Sequence, residues 1–341
     1  MQNKSLRKFL VCEFITGGGL CAAPLPDSLA QEGALMRDAL LSDLAQLPYE
    51  ISTTIDARLA PPQNALCTLV SADDDVWQVW RAQINAADAV WLIAPETDGV
   101  LHYLTQMASL QGKLVLGCGL NAIEVTTNKI TTFLALTQAK IKTIETLTFE
   151  QWQQSAQLNT STKWLTKPFD GVGCDATFCF DNAENLMHWI VSNKKQRTHI
   201  IQPYHAGQPA SISCVMHKGR AQVLSCNTQM IDINHHTLSF KGVIINGMRV
   251  HWQAFEQLAN QVAAAFPDLA GYVGIDVIVD INEDLGRDEI IVVEINPRLT
   301  TSYAGLCEAT GANPAELIIN TLINPDFSWP TIQQNMVSLH V

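Results

Sequence analysis

A segment near the carboxyl end constrains the fold most strongly. Residues 290–298 read Ile-Ile-Val-Val-Glu-Ile-Asn-Pro-Arg, which places an acid, an amide and a guanidinium at every second position: Glu294, Asn296 and Arg298. In an extended strand these three side chains share one face. Carboxylate and amide oxygens suit a hard divalent cation, and a neighbouring arginine can hold phosphate oxygens in a bidentate fork. The segment therefore predicts a strand that binds a metal-bound polyphosphate.

The preceding segment predicts the partner of this strand. Residues 271–279 are apolar apart from Asp276, and a polar segment follows, a pattern typical of a β-hairpin. A turn centred on Leu285 would place Asp276 opposite Glu294 and Asn296 one step further along the same face. We expect these three side chains to bind Mg²⁺, with Mn²⁺ as the alternative metal.

Two alternatives to this metal site stay open at the level of sequence. A register slip of a few residues would replace Asp276 with Asp280. Asp276 and Glu294 could also be solvated residues on the open face of an antiparallel sheet, because such sheets commonly face water on one side.

Together with the motifs upstream, the Glu-Ile-Asn-Pro-Arg strand resembles the ATP-grasp superfamily of carboxylate ligases. Residues 167–174, Lys-Pro-Phe-Asp-Gly-Val-Gly-Cys, look like the second nucleotide lysine and the glycine loop that closes over the phosphates. The resemblance implies that ATP contacts Lys167, Gly171 and Gly173. Cys174 stands where many relatives carry another glycine, which predicts a stiffer lid.

Two more segments match the ATP site of that superfamily. Lys129 opens a helical pattern and stands where relatives place their first phosphate-contacting lysine, with a surface lysine as the alternative. Residues 200–207 resemble the hinge that lines the adenine, in which many relatives have a glutamate. Gln202 and Pro203 take its place here, so we expect backbone groups of Gln202 and Tyr204 to contact the base.

The first third of the chain alternates between apolar runs and helical patterns, which predicts a small parallel α/β domain. Its candidate strands are residues 9–14, 66–70, 89–94 and 113–116. Its candidate helices are residues 75–86, residues 100–110 and an earlier helix that a capping box of Ser28 and Gln31 introduces.

We therefore expect an α/β (α+β) protein with the ATP-grasp fold. The resemblance implies an N-terminal Rossmann-like pre-grasp domain, a central lid subdomain and a C-terminal antiparallel-sheet subdomain with the metal site. The expected boundaries are 1–122, 123–203 and 204–330, followed by a C-terminal tail at 331–341.

Three short segments resemble a narrower group, the tyramine–glutamate ligases of methanofuran biosynthesis and their bacterial relatives in one-carbon metabolism: residues 17–20, 25–33 and 300–305. This resemblance implies glutamate activated through its γ-carboxylate, and tyramine or tyrosine as the amine. Hydroxyls suited to a substrate carboxylate follow Arg298 in the sequence, at Thr300, Thr301 and Ser302. A polar helix cap is the alternative for these residues.

Two loops of the first domain are further candidates for substrate binding, because ligands of open parallel sheets collect at the carboxyl ends of the strands. Gly17, Gly18 and Gly19 follow the first strand and could cradle a substrate anion, although a flexible turn explains them equally well. Residues 96–98, Glu-Thr-Asp, follow the third strand and are candidates for binding an amine, with solvated loop residues as the alternative.

Composition excludes several classes of protein. A net charge of -12 with only 21 Lys and Arg residues disfavours nucleic acid and anionic membranes as partners. No apolar stretch is long enough to span a bilayer. Nine cysteines without a Cys-x-x-Cys pair predict reduced thiols and a cytoplasmic location. The sequence leaves the oligomeric state open, and a homo-oligomer is allowed.

These residues predict a reaction. An amide does not form directly from a carboxylate because hydroxide is a poor leaving group, and phosphorylation by ATP converts the acid into a reactive acyl phosphate. Lys129, Lys167 and Arg298 would offset the charge that develops, and we expect Arg298 and Lys167 to be catalytic. Two rival functions stay open: a kinase for a hydroxyl substrate, and a nucleotide-binding regulator without turnover.

Overall fold

The computed structural model describes residues 6–155, 163–174, 176–280 and 289–340. Strands in the first third form a parallel sheet: β1 (Lys8–Glu13), β2 (Glu50–Asp56), β3 (Leu66–Val70), β4 (Ala89–Ile93) and β5 (Leu114–Val115). Their order across the sheet is β3-β2-β1-β4-β5. The helices that connect them are α1 (Asp27–Leu44), α2 (Val76–Ala86) and α3 (Val100–Leu110).

Helices cover both faces of this sheet. Alternate residues of β1 divide between the two faces: Phe9 and Val11 pack with α1, whereas Leu10 and Cys12 pack with α2 and α3. Strands buried on both faces read as continuous apolar runs, which is why the sequence pattern was informative here. The prediction of a parallel α/β domain is confirmed.

Two details of this domain differ from the prediction. Strand β2 was missed because Ser52, Thr53 and Thr54 interrupt its apolar pattern. The hydroxyl of Thr53 donates to the carbonyl of Val11 at 2.8 Å, so a polar side chain is accommodated in a buried strand. The predicted capping box is wrong, because α1 begins at Asp27 without a side-chain cap and Ser28 lies inside the helix.

The rest of the chain builds an antiparallel sheet. Its strands are β6 (Trp164–Pro168), β7 (Phe178–Phe180), β8 (His199–Pro203), β9 (Gln208–His217), β10 (Arg220–Asn234), β11 (Thr237–Ile245), β12 (Gly271–Asp280), β13 (Glu289–Asn296) and β14 (Val337–His340). Their order is β13-β12-β9-β10-β11-β7-β6-β8, and β14 pairs with β11. The helices are α4 (Leu120–Thr127), α5 (Lys129–Gln138), α6 (Phe149–Gln154), α7 (Ala183–Ser192), α8 (Trp252–Ala265), α9 (Leu306–Thr310) and α10 (Pro314–Ile323).

The predicted hairpin of β12 and β13 has the expected register. Asp276 pairs with Glu294, and Asn296 lies two residues further along β13, opposite Gly274. The register shifts by one residue just beyond Asp276, a bulge of the kind that re-aims side chains next to active sites. The alternative register based on Asp280 is therefore wrong. The predicted turn at Leu285 lies outside the described residues.

Side chains join the two sheets into a continuous structure. The hydroxyl of Tyr303, which follows β13, donates to Asp43 of α1 at 2.8 Å. One apolar cluster contains Leu40 and Leu44 of α1 together with Leu306 of α9. The boundaries at 122, 203 and 330 stay a prediction. Among the described residues, no helix combines the length and apolar character that a membrane span requires.

Candidate active site

The predicted metal strand and the two predicted lysines meet at one carboxylate. Glu294 of β13 is 8% exposed. Its Oε2 atom lies 3.2 Å from the Nζ atom of Lys167 and 3.4 Å from the Nζ atom of Lys129. Two lysines and an acid that are remote in sequence therefore form one buried ionic cluster.

Local structure fixes both lysines. Lys167 extends from β6, which is held between β7 and β8. Lys129 is the first residue of α5, and the side chain of Asn128 caps this helix by accepting a hydrogen bond from the N–H of Ile130 at 2.9 Å. The Nζ atom of Lys129 also donates to the carbonyl of Gly171 at 2.6 Å, which ties the start of α5 to the glycine loop.

Charge and burial oppose each other in this cluster. Burial alone would raise the pKa of the Glu294 carboxyl, but the ammonium groups of Lys167 and Lys129 outweigh it and hold that pKa below its usual range. Burial lowers the pKa of Lys129, and the attraction of Glu294 opposes this effect. A single carboxylate between two buried cations leaves positive charge for another anion, such as a polyphosphate, to balance.

Asp276 lies beside this cluster and is held by two amides. Its Oδ1 atom accepts a hydrogen bond from Gln229 of β10 at 2.8 Å, and its Oδ2 atom accepts one from the amide nitrogen of Asn296 at 3.0 Å. Burial raises the pKa of the Asp276 carboxyl, and the negative charge of Glu294 raises it further. A cation between the two carboxylates would relieve this repulsion.

The donor set fits Mg²⁺ or a similar hard cation. Two carboxylates and an amide are oxygen ligands of the kind that such ions prefer. The nitrogen of Asn296 faces Asp276, which leaves its amide oxygen available. Within the described parts of the chain, no group of three His, Cys, Asp or Glu side chains could hold a metal by itself. Asn296, as predicted from the sequence, could supply a third protein ligand.

Arg298 connects the metal strand to the first domain. Its Nε atom donates to the Oε2 atom of Glu96 at 2.9 Å, and its Nη1 atom donates to the carbonyl of Leu299 at 3.0 Å. Glu96 follows β4 and is 5% exposed, whereas Asp98 in the same turn is exposed. Within the predicted amine-binding segment 96–98, Glu96 is therefore the acid that faces the site. It contacts Arg298 and lies within electrostatic range of Lys129.

The hinge differs from the prediction in its available donors. Gln202 is buried, and its amide nitrogen donates to the hydroxyl of Thr146 at 2.9 Å. The N–H of Tyr204 donates to the carbonyl of Lys163 at 2.8 Å. The side-chain nitrogen of Gln202 and the backbone N–H of Tyr204 are thus occupied by protein partners. Adenine binding by Gln202, Pro203 and Tyr204 stays a prediction and would rest on the remaining backbone groups.

The glycine loop comes near the acidic pair at Cys174. Gly173 has a φ of 58°, in the left-handed region that favours glycine, and a side chain at this position would meet open space. Burial, together with the nearby negative charges of Glu294 and Asp276, raises the pKa of the Cys174 thiol to about 12. Cys174 is therefore a neutral thiol beside the cluster. Nucleotide contacts of Gly171 and Gly173 stay a prediction.

The glycines after β1 have a structural explanation. The carboxylate of Glu13 accepts a hydrogen bond from the N–H of Ile15 at 3.0 Å and from the N–H of Thr16 at 2.5 Å. An internal carboxylate therefore occupies the amides at the start of this loop. A Cβ atom on the next three residues would come within 2.6 to 2.8 Å of neighbouring atoms: Gly17, Gly18 and Gly19. Their contact with a substrate stays a prediction.

The hydroxyls after Arg298 also have protein partners. Thr300 Oγ1 lies 2.7 Å from the hydroxyl of Tyr272 and 3.0 Å from that of Ser302, and Thr301 donates to the carboxylate of Glu32 at 2.6 Å. Thr300 precedes a 3₁₀ turn, Thr301–Gly305, but its side chain makes no capping bond. The helix-cap alternative is therefore wrong. Substrate binding by Thr300, Thr301 and Ser302 stays a prediction.

The fold and the site define the class of protein: a parallel α/β domain joined to an antiparallel sheet in which two lysines face an acidic pair. The chain belongs to the ATP-grasp family, because the family model described as ATP-grasp domain matches residues 126–302. The model described as pre ATP-grasp 3 domain matches residues 49–123. The ATP-grasp fold predicted from the sequence is confirmed.

Curated relatives and solved structures agree with this assignment. The tyramine–L-glutamate ligase of Methanocaldococcus fervens is 29% identical, covering 89% of this chain and 91% of the relative. Its counterpart from Methanocaldococcus jannaschii is 26% identical, covering 89% and 86%. An ATP-grasp superfamily protein from Archaeoglobus fulgidus has a TM-score of 0.69 at 22% identity, covering 98% and 99% of the two chains. The chain is an ATP-grasp ligase by family.

One further solved structure contains nucleotide and metal. The biotin carboxylase domain of the Hydrogenobacter thermophilus 2-oxoglutarate carboxylase, in complex with MgADP and bicarbonate, has a TM-score of 0.71 at 13% identity. The likeness covers 97% of this chain and 73% of that one. At this identity the likeness supports the shared fold alone.

Proposed function

We propose that the protein is an ATP-dependent carboxylate–amine ligase that forms an amide through an acyl phosphate. The observation that carries this proposal is the convergence of Lys129 and Lys167 on the buried Glu294, beside the second acid Asp276. Such a cluster is costly to bury unless a ligand of mixed charge completes it. A metal-bound polyphosphate has that mixed charge.

Different residues of the cluster would bind the metal and the phosphates of the expected ligand. Asp276, Glu294 and Asn296 would hold Mg²⁺, or Mn²⁺ in its place, and the metal would offset the negative charge of the phosphates. Phosphate oxygens would replace Glu294 as the partner of Lys129 and Lys167. In the structure Glu294 is the ionic partner of both lysines, and it would be free to bind the metal once phosphate oxygens took its place.

Arg298 would act on the transferred phosphoryl group. Its Nε and Nη1 atoms are bonded to the protein, which fixes the plane of the guanidinium and leaves its remaining N–H groups for a ligand. A guanidinium in a fixed plane needs little reorganisation when charge develops on the phosphoryl oxygens. We therefore propose that Arg298 and Lys167 are the catalytic residues.

For the substrates we propose glutamate, activated at its γ-carboxylate, and tyramine or tyrosine as the amine. Both curated relatives are named tyramine–L-glutamate ligases and align over most of the chain. The product would serve a methanofuran-type cofactor pathway. The nine free cysteines, all of which lie in the described residues, fit the proposed cytoplasmic location. A homo-oligomer stays compatible with the proposal.

The test is ADP release with Mg-ATP across a matrix of amino acids and aromatic amines, with product masses determined. We expect ADP formation to require both a carboxylate and an amine, with the glutamate and tyramine pair giving an amide. ADP release with an alcohol and no amide product would instead support a kinase. Tight ATP binding without ADP formation for any pair would support a regulator and overturn the proposal.

A further inference from the structure

Glu96 is an acid of the first domain whose part in the proposed phosphoryl transfer is limited to holding the guanidinium of Arg298. It follows β4, and its side chain is 6% exposed. Its Oε2 atom accepts the hydrogen bond from Arg298, while its Oε1 atom makes no hydrogen bond to another described residue. This second oxygen of a largely buried carboxylate can accept a hydrogen bond from a ligand beside the proposed reaction centre.

The turn that carries Glu96 is fastened to the nucleotide side of the site. The hydroxyl of Thr97 donates to the carbonyl of Asp170 at 3.1 Å, and the N–H of Asp98 donates to the carboxylate of Asp170 at 3.2 Å. Asp170 lies between Lys167 and the glycine loop. These bonds fix Glu96 relative to the lysine that would hold the phosphates.

Two cations of the proposed phosphate site lie near Glu96. The guanidinium of Arg298 lies against it, and the ammonium of Lys129 lies within electrostatic range, as does the thiol of Cys118. Arg298 and Lys129 are the residues that would face the acyl phosphate. A ligand bound to the free oxygen of Glu96 therefore lies next to the proposed point of acyl transfer.

We propose that Glu96 is a catalytic residue that binds the ammonium group of the amine substrate and removes a proton from it. This role rests on the proposed ligase function, because it requires an acyl phosphate as the partner. A primary amine arrives as an ammonium ion without a free electron pair, so it cannot attack until a base takes one proton.

The chemistry balances without a further reagent. Glu96 takes the first proton, and the released electron pair of nitrogen forms the C–N bond with the acyl carbon. The C–O bond to phosphate then breaks, and its electron pair leaves with the phosphate. The phosphate takes the second proton from nitrogen and departs as hydrogen phosphate, while Glu96 returns its proton to solvent. Arg298 stabilises the departing charge.

Two nucleophiles test this role in one variant, Glu96→Gln. Hydroxylamine is unprotonated at neutral pH and traps an acyl phosphate as a hydroxamate without a base, whereas tyramine is an ammonium ion. The amide oxygen of the glutamine can still accept the hydrogen bond from Arg298, so we expect the variant to keep most of its hydroxamate formation and to lose about 10²- to 10⁴-fold in amide formation with tyramine. The loss should shrink as the pH approaches the titration of the free amine.

A purely structural role predicts a different result. If Glu96 only orients Arg298, phosphoryl transfer fails first, and the hydroxamate and amide rates fall together. Equal loss of both rates, or an unchanged amide rate, would overturn the proposal. The retained hydroxamate rate also shows that the variant is folded. Should the wild-type protein form no hydroxamate with any carboxylate, the ligase function itself fails, which is a separate outcome.

Asp98→Asn is the matched control. It removes a negative charge from the same turn, but the side chain of Asp98 is exposed. The hydrogen bond from Asp98 to Asp170 uses the backbone N–H and is kept in the variant. Asp98 has a φ of 56°, a left-handed conformation that asparagine tolerates well. We expect both rates to stay at the wild-type level in this variant, and a selective loss of the tyramine rate here would count against the assignment to Glu96.

Discussion

At the scale of single residues, Glu294 decides whether the site is electrostatically balanced. It forms ion pairs with two buried lysines and is also the expected metal ligand. Both tasks require a negative charge rather than a particular shape. A neutral side chain of the same shape therefore tests the effect of the charge without changing the packing.

We expect Glu294→Gln to lower turnover by at least about 10²-fold while the protein stays folded. The lysines then lose their shared partner, so the free energy of unfolding should fall by roughly 3 kcal/mol without nucleotide. ADP release and urea unfolding measure the two effects. Glu289→Gln is the control, because Glu289 is on the same strand but pairs with Lys142 at a half-exposed position. Near-normal turnover of Glu294→Gln would remove the metal assignment.

Gln229 is the residue that positions Asp276. Its amide donates to Asp276 at 2.8 Å, so Gln229→Ala should free that carboxylate to rotate. We expect the Mg²⁺ concentration for half-maximal ADP release to rise about 10- to 100-fold, with a smaller change at saturating Mg²⁺. Gln222→Ala, at an exposed position of the same strand, should leave the Mg²⁺ dependence unchanged. An equal shift in both variants would contradict the positioning role.

The residues that sequence reasoning identified and those it missed differ in the range of their contacts. Asp276 and Glu294 were predictable as a pair because the two-residue period of strands and one short hairpin fix their relation. Glu96 was only one of three candidates in its turn. Its partner Arg298 is 202 residues away, and no local pattern reports such a contact. Gln229 was equally ambiguous, since its partner Asp276 lies on a non-adjacent strand.

At the scale of elements, apolar periodicity predicted strands better when no hydroxyl residues interrupted them. The runs of β1 and β4 were found, whereas β2 was missed because hydroxyl residues interrupt its apolar pattern. The hydroxyl of Thr53 donates to the backbone of β1, and that of Thr54 accepts a hydrogen bond from Trp80. Residues 331–341 were predicted as a tail, yet Val337–His340 forms β14 and pairs with β11. A four-residue edge strand leaves too short a pattern to recognise in sequence.

The pairing of β14 with β11 depends on Gly242. This residue has a φ of 139°, and a Cβ atom there would collide with the carbonyl oxygen of Leu339. We expect Gly242→Ala to separate the two strands and to lower the free energy of unfolding by about 3 kcal/mol. Gly219→Ala is the control: it also has a positive φ, of 75°, but the nearest atom is 3.8 Å away. We expect it to cost only about 1 kcal/mol. If urea unfolding gave the same loss of stability for both variants, the positive φ alone would explain the glycine at 242, and the collision with Leu339 would not contribute.

At the scale of the whole molecule, α1 connects the first domain to the segment that follows the metal strand. Asp43 of α1 accepts a hydrogen bond from Tyr303 at 2.8 Å, and its carbonyl accepts one from Asn313 at 2.8 Å. Glu32, three turns earlier on the same helix, accepts a hydrogen bond from Thr301. The position of Arg298 relative to Glu96 thus depends on contacts that the two halves of the molecule make together.

The Asp43 contact should make stability depend on pH. Burial raises the pKa of the Asp43 carboxyl to about 6, although the hydrogen bond from Tyr303 opposes the shift. An unfolded aspartate titrates near 3.9, so this group contributes stability that is complete below about pH 4 and is lost as the pH rises through about 6. Asp43→Asn keeps an oxygen for Tyr303 but cannot ionise. Between pH 4.5 and pH 8 we expect the free energy of unfolding of the variant to rise by roughly 2 kcal/mol relative to that of the wild type.

Urea unfolding at both pH values measures this change. The exposed Asp326→Asn is a control that should show no such gain. A difference between Asp43→Asn and wild type that stays constant across this range would mean that Asp43 ionises as freely in the folded protein as in the unfolded chain.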